Sequence, residues 1–363
     1  LSSTFSSPTS FFNVRTVTQS DAYMIKSYAQ LITFFGWSWI GAAFADDDVG
    51  QAGRYGFGGL SDDNLFFPCY IIVGFVDDAG LSTLASCLKQ FPEVKVLLLW
   101  GSAQTSYNTI RYLYEETDIT GLTFVLNTQA AKEFPKILGR VPASYYKGLL
   151  FLDINYDPKP YEKCMETVFT DASVVPDWAI TLAEKEYNCI FDTTGTSTLP
   201  ECTSDSPSKN HNCRCSLAML DSEKQPYSSL PTMYRDILTG YAIALHTIKY
   251  NCSALKGDYC NLDSITGIQL IAAMSQIPYV GYTGYITFDQ MNSTNRINGT
   301  LDVYQLVPVE ESQVHLTAPG TILLGYMIPA SLESYSGIYL DQNQFRFITG
   351  GNSVPISGTT LTG

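Results

Sequence analysis

The feature that most restricts the fold is an alternation of strand-length apolar runs with helix-length segments over residues 38–154. Such an alternation is typical of α/β domains in which helices connect neighbouring parallel strands. The five apolar runs span residues 39–45, 69–76, 94–100, 122–126 and 148–154. The sequence therefore predicts an α/β fold that is built on a parallel sheet.

Two of the segments carry apolar residues at helical spacing. Ser20 or Asp21 is suited to cap the start of the first helix, and Gly36 is suited to end it. The first stripe consists of Met24, Ile25, Tyr28, Leu31, Ile32 and Phe35, and the second consists of Leu81, Leu84, Ala85, Leu88 and Phe91. We interpret both stripes as faces that pack into a core.

Length and changes of composition favour two compartments. The chain has 363 residues, which exceeds the usual size of one core. The regular alternation of strand-length and helix-length segments changes after Ile154. Residues 190–231 are rich in Ser, Thr, Pro and Cys and show little periodicity. That composition predicts a long surface loop held by cysteines, whereas residues 233–250 and 264–277 return to helical patterns.

Charge and hydropathy narrow the classes of partner. The net charge of −14 leaves no basic surface for a phosphate backbone, which argues against nucleic acid. No apolar run approaches the roughly 20 residues that a membrane-spanning helix needs. The chain opens at Leu1 without a Met or a signal-peptide pattern, so we expect its natural start to lie upstream or to have been removed.

Cysteines and glycosylation sequons favour an oxidising, glycosylating route. The chain has nine cysteines, and Asn-x-Ser/Thr sequons occur at Asn251, Asn292 and Asn298. Because nine is odd, at least one cysteine has no partner within the chain.

A cluster of cysteines next to His211 has two interpretations. Cys213 and Cys215 could form half of a zinc site with the histidine, since thiolate and imidazole are common zinc ligands. Structural disulfides with Cys189 and Cys202 are the favoured alternative for a secreted chain. The sequence does not decide how these four cysteines are connected.

No catalytic constellation is visible. The three histidines are too scattered for a His-x-x-x-His metal pair, and no Gly-x-Ser-x-Gly elbow occurs. The glycine-rich segment 56–61 lacks the third glycine of a dinucleotide fingerprint and follows a helix-like stretch. We therefore expect neither an enzyme nor a bound cofactor.

Three consecutive acids, Asp46, Asp47 and Asp48, follow the first apolar run. Their carboxylate oxygens are suited to a cation such as calcium. A solvated loop whose aspartates cap the next helix is the favoured alternative. We therefore predict no metal site, with these three residues as the weak candidates.

A distinctive motif spans residues 279–289. It combines a tight Gly281-Tyr282-Thr283-Gly284 turn with a strand in which Ile286 and Phe288 alternate with polar residues. Its spacing of Gly, Thr, Gly and Phe-Asp resembles a signature of the two-lobed extracellular clamp of class C G-protein-coupled receptors. That clamp is related to type I periplasmic binding proteins.

A second motif carries the same resemblance. Residues 34–41, with Phe-Phe-Gly-Trp, lead into a strand, the acidic loop and a Gly-x-x-Gly pattern at residues 45–53. This order is similar to the matching stretch of calcium-sensing and metabotropic glutamate receptors. The resemblance spans nearly the whole chain and is weakest over residues 190–231.

The resemblance implies a two-lobed, type I periplasmic-binding-protein-like α/β fold with parallel sheets flanked by helices and with lobe 1 incomplete. Residues 1–15 would be a remnant of lobe 1 and a crossover, and residues 16–155 would form lobe 2. Residues 156–279, which include the cysteine-rich loop, would belong to lobe 1. Residues 280–363 would supply the last strands of lobe 2 and the exit toward a stalk.

The resemblance also implies a small-molecule site. Hydroxyl groups that hold a ligand carboxylate correspond to Ser2, Ser3 and Thr4, and an acid that holds an ammonium group corresponds to Asp21. Two further positions depart from the family, since a tyrosine is replaced by Val49 and a carboxylate by Gln129. Each lost charge-assisted contact costs on the order of 1.5–3 kcal/mol, so we expect weak α-amino-acid binding and a less polar or differently charged ligand, or none.

Partners and location follow from the same resemblance. Cys252 and Cys260 look like a short-loop family disulfide, and Cys69 stands where the family has a cysteine that bonds a cysteine-rich stalk. The implied protein is a homo- or heterodimeric receptor ectodomain on the extracellular side of the plasma membrane. A secreted solute-binding protein and a non-sensing structural glycoprotein remain open alternatives.

Overall fold

The structure is a computed structural model, and it describes a defined subset of residues. These are residues 16–19, 21–60, 65–74, 78–133, 142–155, 177, 180–181, 184, 189–192, 197–202, 213–215, 229–255, 265–288, 295–296, 299–307, 321–328 and 337–347. The chain divides into two compact units. Unit 1 comprises Leu1–Tyr156, Met233–Gln313 and Gly320–Gly363, and unit 2 comprises Asp157–Thr232 and Val314–Pro319.

Unit 1 contains an eight-stranded sheet that is mostly parallel, which confirms the predicted α/β class. The strands are β2 (Trp39–Ala45), β3 (Phe66–Val73), β4 (Val96–Trp100), β5 (Thr123–Leu126), β6 (Leu150–Ile154), β10 (Leu301–Leu306), β11 (Thr321–Ile328) and β12 (Gly337–Leu340). Five parallel strands have the spatial order β3-β2-β4-β5-β6, and β10, β11 and β12 continue the sheet in antiparallel fashion.

Helices connect the parallel strands. They are α1 (Asp21–Phe34), α2 (Asp48–Gly58), α3 (Asp78–Gln90), α4 (Ala103–Arg111), α5 (Thr128–Glu133) and the short α6 (Ala143–Tyr146). Helix α4 continues into a π-helical turn at Tyr112–Glu116. The bounds of α1 and α3 agree with the two apolar stripes, whose members Ile25, Tyr28, Leu84 and Leu88 are buried.

Two hydrophobic cores cover the two faces of the sheet. Strand β2 shows the division, since Ala42 and Phe44 face the first core and Ala43 faces the second. Helices α1 and α2 pack into the first core, and α3, α4 and α5 pack into the second. Helices on both faces of a parallel sheet are the doubly wound arrangement.

A third core lies within the remaining described part of unit 1. It is formed by α7 (Ser229–Asn251), α8 (Gly267–Gln276) and a hairpin of β7 (Tyr279–Gly281) and β8 (Gly284–Ile286). The predicted turn and alternation are confirmed, because Ile286 and Phe288 are buried while Tyr285 is exposed. Gly284 closes the turn at a φ of 89°, which a side chain would disfavour.

Two short strands form a separate parallel pair. They are β1 (Thr16–Gln19) and β9 (Asn295–Arg296). Strand β1 leads into α1, and β9 leads from the hairpin region toward β10. We call β1 and β9 the connector pair.

Unit 2 is described mainly around its disulfides. Cys189 is bonded to Cys215, and Cys202 is bonded to Cys213, which confirms disulfides over a zinc site. Arg214 lies between these bonds and forms an ion pair with Glu201 at 2.6 Å. His211 lies outside the described residues.

The prediction for Cys69 is wrong. Cys69 is bonded to Cys87, and their Cα atoms are 5.7 Å apart. The physical reason is the direction of the side chain, because Cys69 is fully buried on the face of β3 that packs on α3 in the second core. A thiol in that position is not exposed to a stalk, and the bond instead fastens the edge strand to its helix.

Other predictions on organisation fall partly outside the described residues. Cys252 is disulfide-bonded, whereas its predicted partner Cys260 is not described. Residues 233–279, which the resemblance assigned to lobe 1, are grouped with unit 1, and the lobe boundaries stay a prediction. Among the described helices, none has the length and apolarity that a membrane span requires.

Candidate ligand site at the carboxyl edge of the parallel sheet

The order of the parallel strands locates a crevice. From β2 the chain crosses through α2 to β3 on one side, and it then crosses through α3 to β4 on the other side of β2. The two helices lie in different cores and therefore on opposite faces of the sheet. In doubly wound sheets, ligands bind outside the carboxyl ends of the strands at such a switch point. The candidate site therefore lies where β2 and β4 end.

The loop after β2 carries the three consecutive acids. Asp47 is the N-cap of α2, and its Oδ1 accepts a hydrogen bond from the Gly50 N–H at 2.7 Å. Asp46 and Asp48 are exposed. The described residues contain no group of three or more His, Cys, Asp or Glu that could hold a metal. The helix-capping interpretation is thus confirmed for Asp47. The carboxylates of Asp46 and Asp48 are exposed to solvent.

Gly50 and Gly53 allow α2 to start close against the sheet. A Cβ on Gly50 would lie 1.9 Å from the Ala45 carbonyl oxygen, and one on Gly53 would lie 2.3 Å from the Trp100 ring. Both distances are far below van der Waals contact, so neither position accommodates a side chain. The Gly-x-x-Gly pattern thereby brings the first turn of α2, including Val49, over the ends of β2 and β4.

The loop after β4 holds a residue that the sequence analysis did not single out. Ser102 caps α4, because its Oγ accepts from the Thr105 N–H at 3.1 Å. The preceding Gly101 N–H donates to Oδ1 of the buried Asn127 at 3.2 Å, which joins the loops after β4 and β5. A serine directly after a strand and before a helix is the available sequence signal for this position.

Tyr28 fastens the sheet where β5 and β6 separate. The register of these strands contains a single pair, Val125 with Leu150. Beyond it, the buried Tyr28 hydroxyl accepts from the Leu152 N–H at 3.0 Å and donates to the Leu126 carbonyl at 2.7 Å. Burial raises the pKa of Tyr28 well above its ordinary value, so the hydroxyl stays protonated and can donate.

Two buried carboxylates face each other beside this edge. Asp153 and Asp302 are paired across β6 and β10. Asp302 accepts from Asn155 Nδ2 at 2.9 Å and from the Tyr304 hydroxyl at 3.1 Å. Burial raises the pKa of Asp302, and the charge of Asp153 raises it further, while the two hydrogen bonds lower it.

The structure places three predicted ligand residues at this one edge. Val49 lies in the first turn of α2 with 39% of its surface exposed, and Gln129 is exposed in the first turn of α5. Asp21 begins α1, and this helix reaches the carboxyl edge, since the Tyr28 hydroxyl donates to the Leu126 carbonyl at the end of β5.

Other predicted site residues are described only in part. Ser2, Ser3 and Thr4 lie outside the described residues, as do Asn292 and Asn298. Asn251 is exposed at the end of α7.

Comparison with known families gives one match. Residues 1–308 match the family model named receptor family ligand binding region. No match was found among curated protein sequences. The matched span covers most of the chain and includes the switch point and the hairpin motif. The chain therefore belongs to the family of receptor ligand-binding regions.

Proposed function

We propose that the chain is the extracellular ligand-sensing domain of a class C G-protein-coupled-receptor-like protein. The main support is a doubly wound sheet whose switch point between β2 and β4 presents exposed carboxylates. The chain also belongs to the receptor ligand-binding family. A crevice at that position is where such a sheet takes a small molecule.

The side chains at this edge favour a small amine with an apolar body. Asp46 and Asp48 offer carboxylates to an ammonium group, and Val49 offers apolar surface where the family has a tyrosine. Among the described residues that directly follow the parallel strands, none is a Lys or Arg that would pair with a ligand carboxylate. An amine should therefore bind better than the matching α-amino acid.

Binding would act through a change of conformation. In this proposal the occupied domain closes, shifts a two-state equilibrium and reorients a paired subunit. Three disulfides among the described residues and the exposed sequon at Asn251 support an extracellular location.

Calorimetric titration with phenethylamine and phenylalanine tests the proposal, because these probes differ only in the carboxylate. We expect phenethylamine to bind and phenylalanine to bind at least tenfold more weakly, about 1.4 kcal/mol. Tighter binding of phenylalanine, or no binding of phenethylamine, would contradict the amine class.

A pair of variants locates the site. Asp46→Asn removes an exposed charge at the carboxyl edge, whereas Glu93→Gln removes an exposed charge just before β4, at the opposite edge. We expect the first variant alone to weaken phenethylamine. Equal affinity in both variants would place the amine elsewhere.

A further inference from the structure

Two buried charges meet at the turn of the β7–β8 hairpin. Asp236, on α7, has no exposed surface, and Arg296, on β9, is 1% exposed. The Asp236 carboxylate accepts from the Tyr282 N–H at 2.6 Å and from the Thr283 N–H at 2.9 Å. The helix thereby holds the backbone of the turn.

Arg296 holds the same turn from the other side. Its guanidinium donates to the Thr283 carbonyl at 2.7 Å and to the Tyr285 carbonyl at 2.8 Å. It also donates to the Thr283 Oγ1 at 2.7 Å. Three bonds from one buried side chain fix β9 to the hairpin, and a planar guanidinium is suited to such a fork.

The Thr283 hydroxyl links the two charges. It lies 2.6 Å from the Asp236 carboxylate and 2.7 Å from an Arg296 nitrogen. Because a guanidinium only donates, the hydroxyl accepts from Arg296 and donates its own proton to Asp236. One hydroxyl therefore completes a continuous chain of bonds from α7 to β9.

The connector pair continues this chain toward the sheet. Strand β9 pairs with β1, which leads into α1. Near the start of α1, the Tyr23 hydroxyl donates to the Gly299 carbonyl at 2.8 Å, in the segment between β9 and β10. Burial raises the pKa of Tyr23 to about 12, so this donor keeps its proton at neutral pH. The segments that contain β1 and β9 are therefore joined both by strand pairing and by this hydrogen bond.

We propose that Asp236, Thr283 and Arg296 form a latch that holds the connector pair against the hairpin and opens locally while the cores stay folded. The latch is independent of any ligand and goes beyond the proposed function. Opening it frees β1 and β9 together, because they pair with each other.

The closed latch has an internal cost. The buried Nε–H of Arg296 has no acceptor among the described residues. Burial also lowers the pKa of Arg296, although the charge of Asp236 opposes this effect. An unpaired buried donor lowers the free energy that is needed to open the latch. This agrees with a latch that opens before the hydrophobic cores unfold.

Hydrogen-exchange mass spectrometry on a matched pair of variants tests the latch. Thr283→Val has nearly the same shape but no hydroxyl, whereas Thr283→Ser keeps the hydroxyl. We expect the valine variant to accelerate exchange about tenfold to a hundredfold in peptides that contain the connector pair, and serine to restore it largely. Peptides from β4, which report the buried sheet, should exchange as in the wild type.

Two results would overturn the latch. One is unchanged exchange of the connector pair in the valine variant, and the other is equal acceleration in β4, which would indicate global destabilisation. If that variant does not fold, the wild type gives the answer, because the hairpin turn and the connector pair should open with the same free energy. After correction for intrinsic exchange rates, a turn whose protection is more than tenfold lower than that of β9 would overturn the proposal.

Discussion

Replacing Tyr28 by Phe should weaken the sheet between β5 and β6. The variant keeps the ring, which packs edge-on against Trp100 at 5.3 Å, and removes only the hydroxyl. The Leu152 N–H and the Leu126 carbonyl then lose the partner that they share. No backbone pair beyond Val125 with Leu150 replaces it in the described register.

The magnitude follows from two buried groups left without partners. Each such group costs about 1–3 kcal/mol, and part of this is recovered because Phe has no hydroxyl to desolvate. We therefore expect the free energy of unfolding to fall by about 2–4 kcal/mol.

Urea unfolding followed by tryptophan fluorescence measures the effect, since Trp37 and Trp100 lie in the first core. Tyr55→Phe is the matched control, because Tyr55 is 74% exposed. The control should change stability by less than about 0.5 kcal/mol. If Tyr28→Phe were no more destabilising than the control, the hydroxyl would not bridge the strands.

Two further predictions concern buried carboxylates and the edge strand. Asp302→Asn should be at least as stable as the wild type at pH 7. Burial raises the pKa of Asp302 in the folded protein. Protonated Asp302 therefore contributes stability that is fully present below the unfolded pKa of about 3.9 and is lost as the pH rises through the folded pKa. Urea midpoints between pH 4 and 7 should show the advantage of the variant growing with pH, and a variant less stable at pH 7 would refute this. Changing Cys69 and Cys87 together to Ala should cost about 3 kcal/mol, because the disulfide closes a loop of 18 residues. Unfolding under non-reducing conditions measures that loss, and peptide mapping that finds Cys69 unpaired would refute the bond itself.

Much of the parallel sheet was predictable because its signals are local. The run at residues 39–45 coincides with β2, whose residues are apolar on both faces of the sheet. The run at residues 69–76 was displaced from β3, which begins at Phe66. The predicted run began at Cys69 and therefore omitted Phe66 and Phe67, which precede Pro68 and belong to the same edge strand.

The contacts between distant segments were not predictable from one sequence. The partner of Cys69 depends on which face of β3 meets α3, and a linear pattern does not give that face. The sequence pattern shows Tyr28 only as one member of an apolar helical stripe. Its hydroxyl contacts residues 98 and 124 positions further along the chain, and a local pattern does not reveal such contacts. Arg296 lies in a polar stretch, so its burial became visible only through its bonds to the hairpin.

We propose that a small amine binds at the carboxyl edge of the parallel sheet. Hydrogen-exchange mass spectrometry with and without saturating phenethylamine tests whether the amine binds there. We expect slower exchange in peptides that span Asp46 to Gly53 and Gly101 to Ser106, with no change at residues 91–95 before β4. Protection confined to the loops at the amino edge, or unchanged exchange after both β2 and β4, would contradict it.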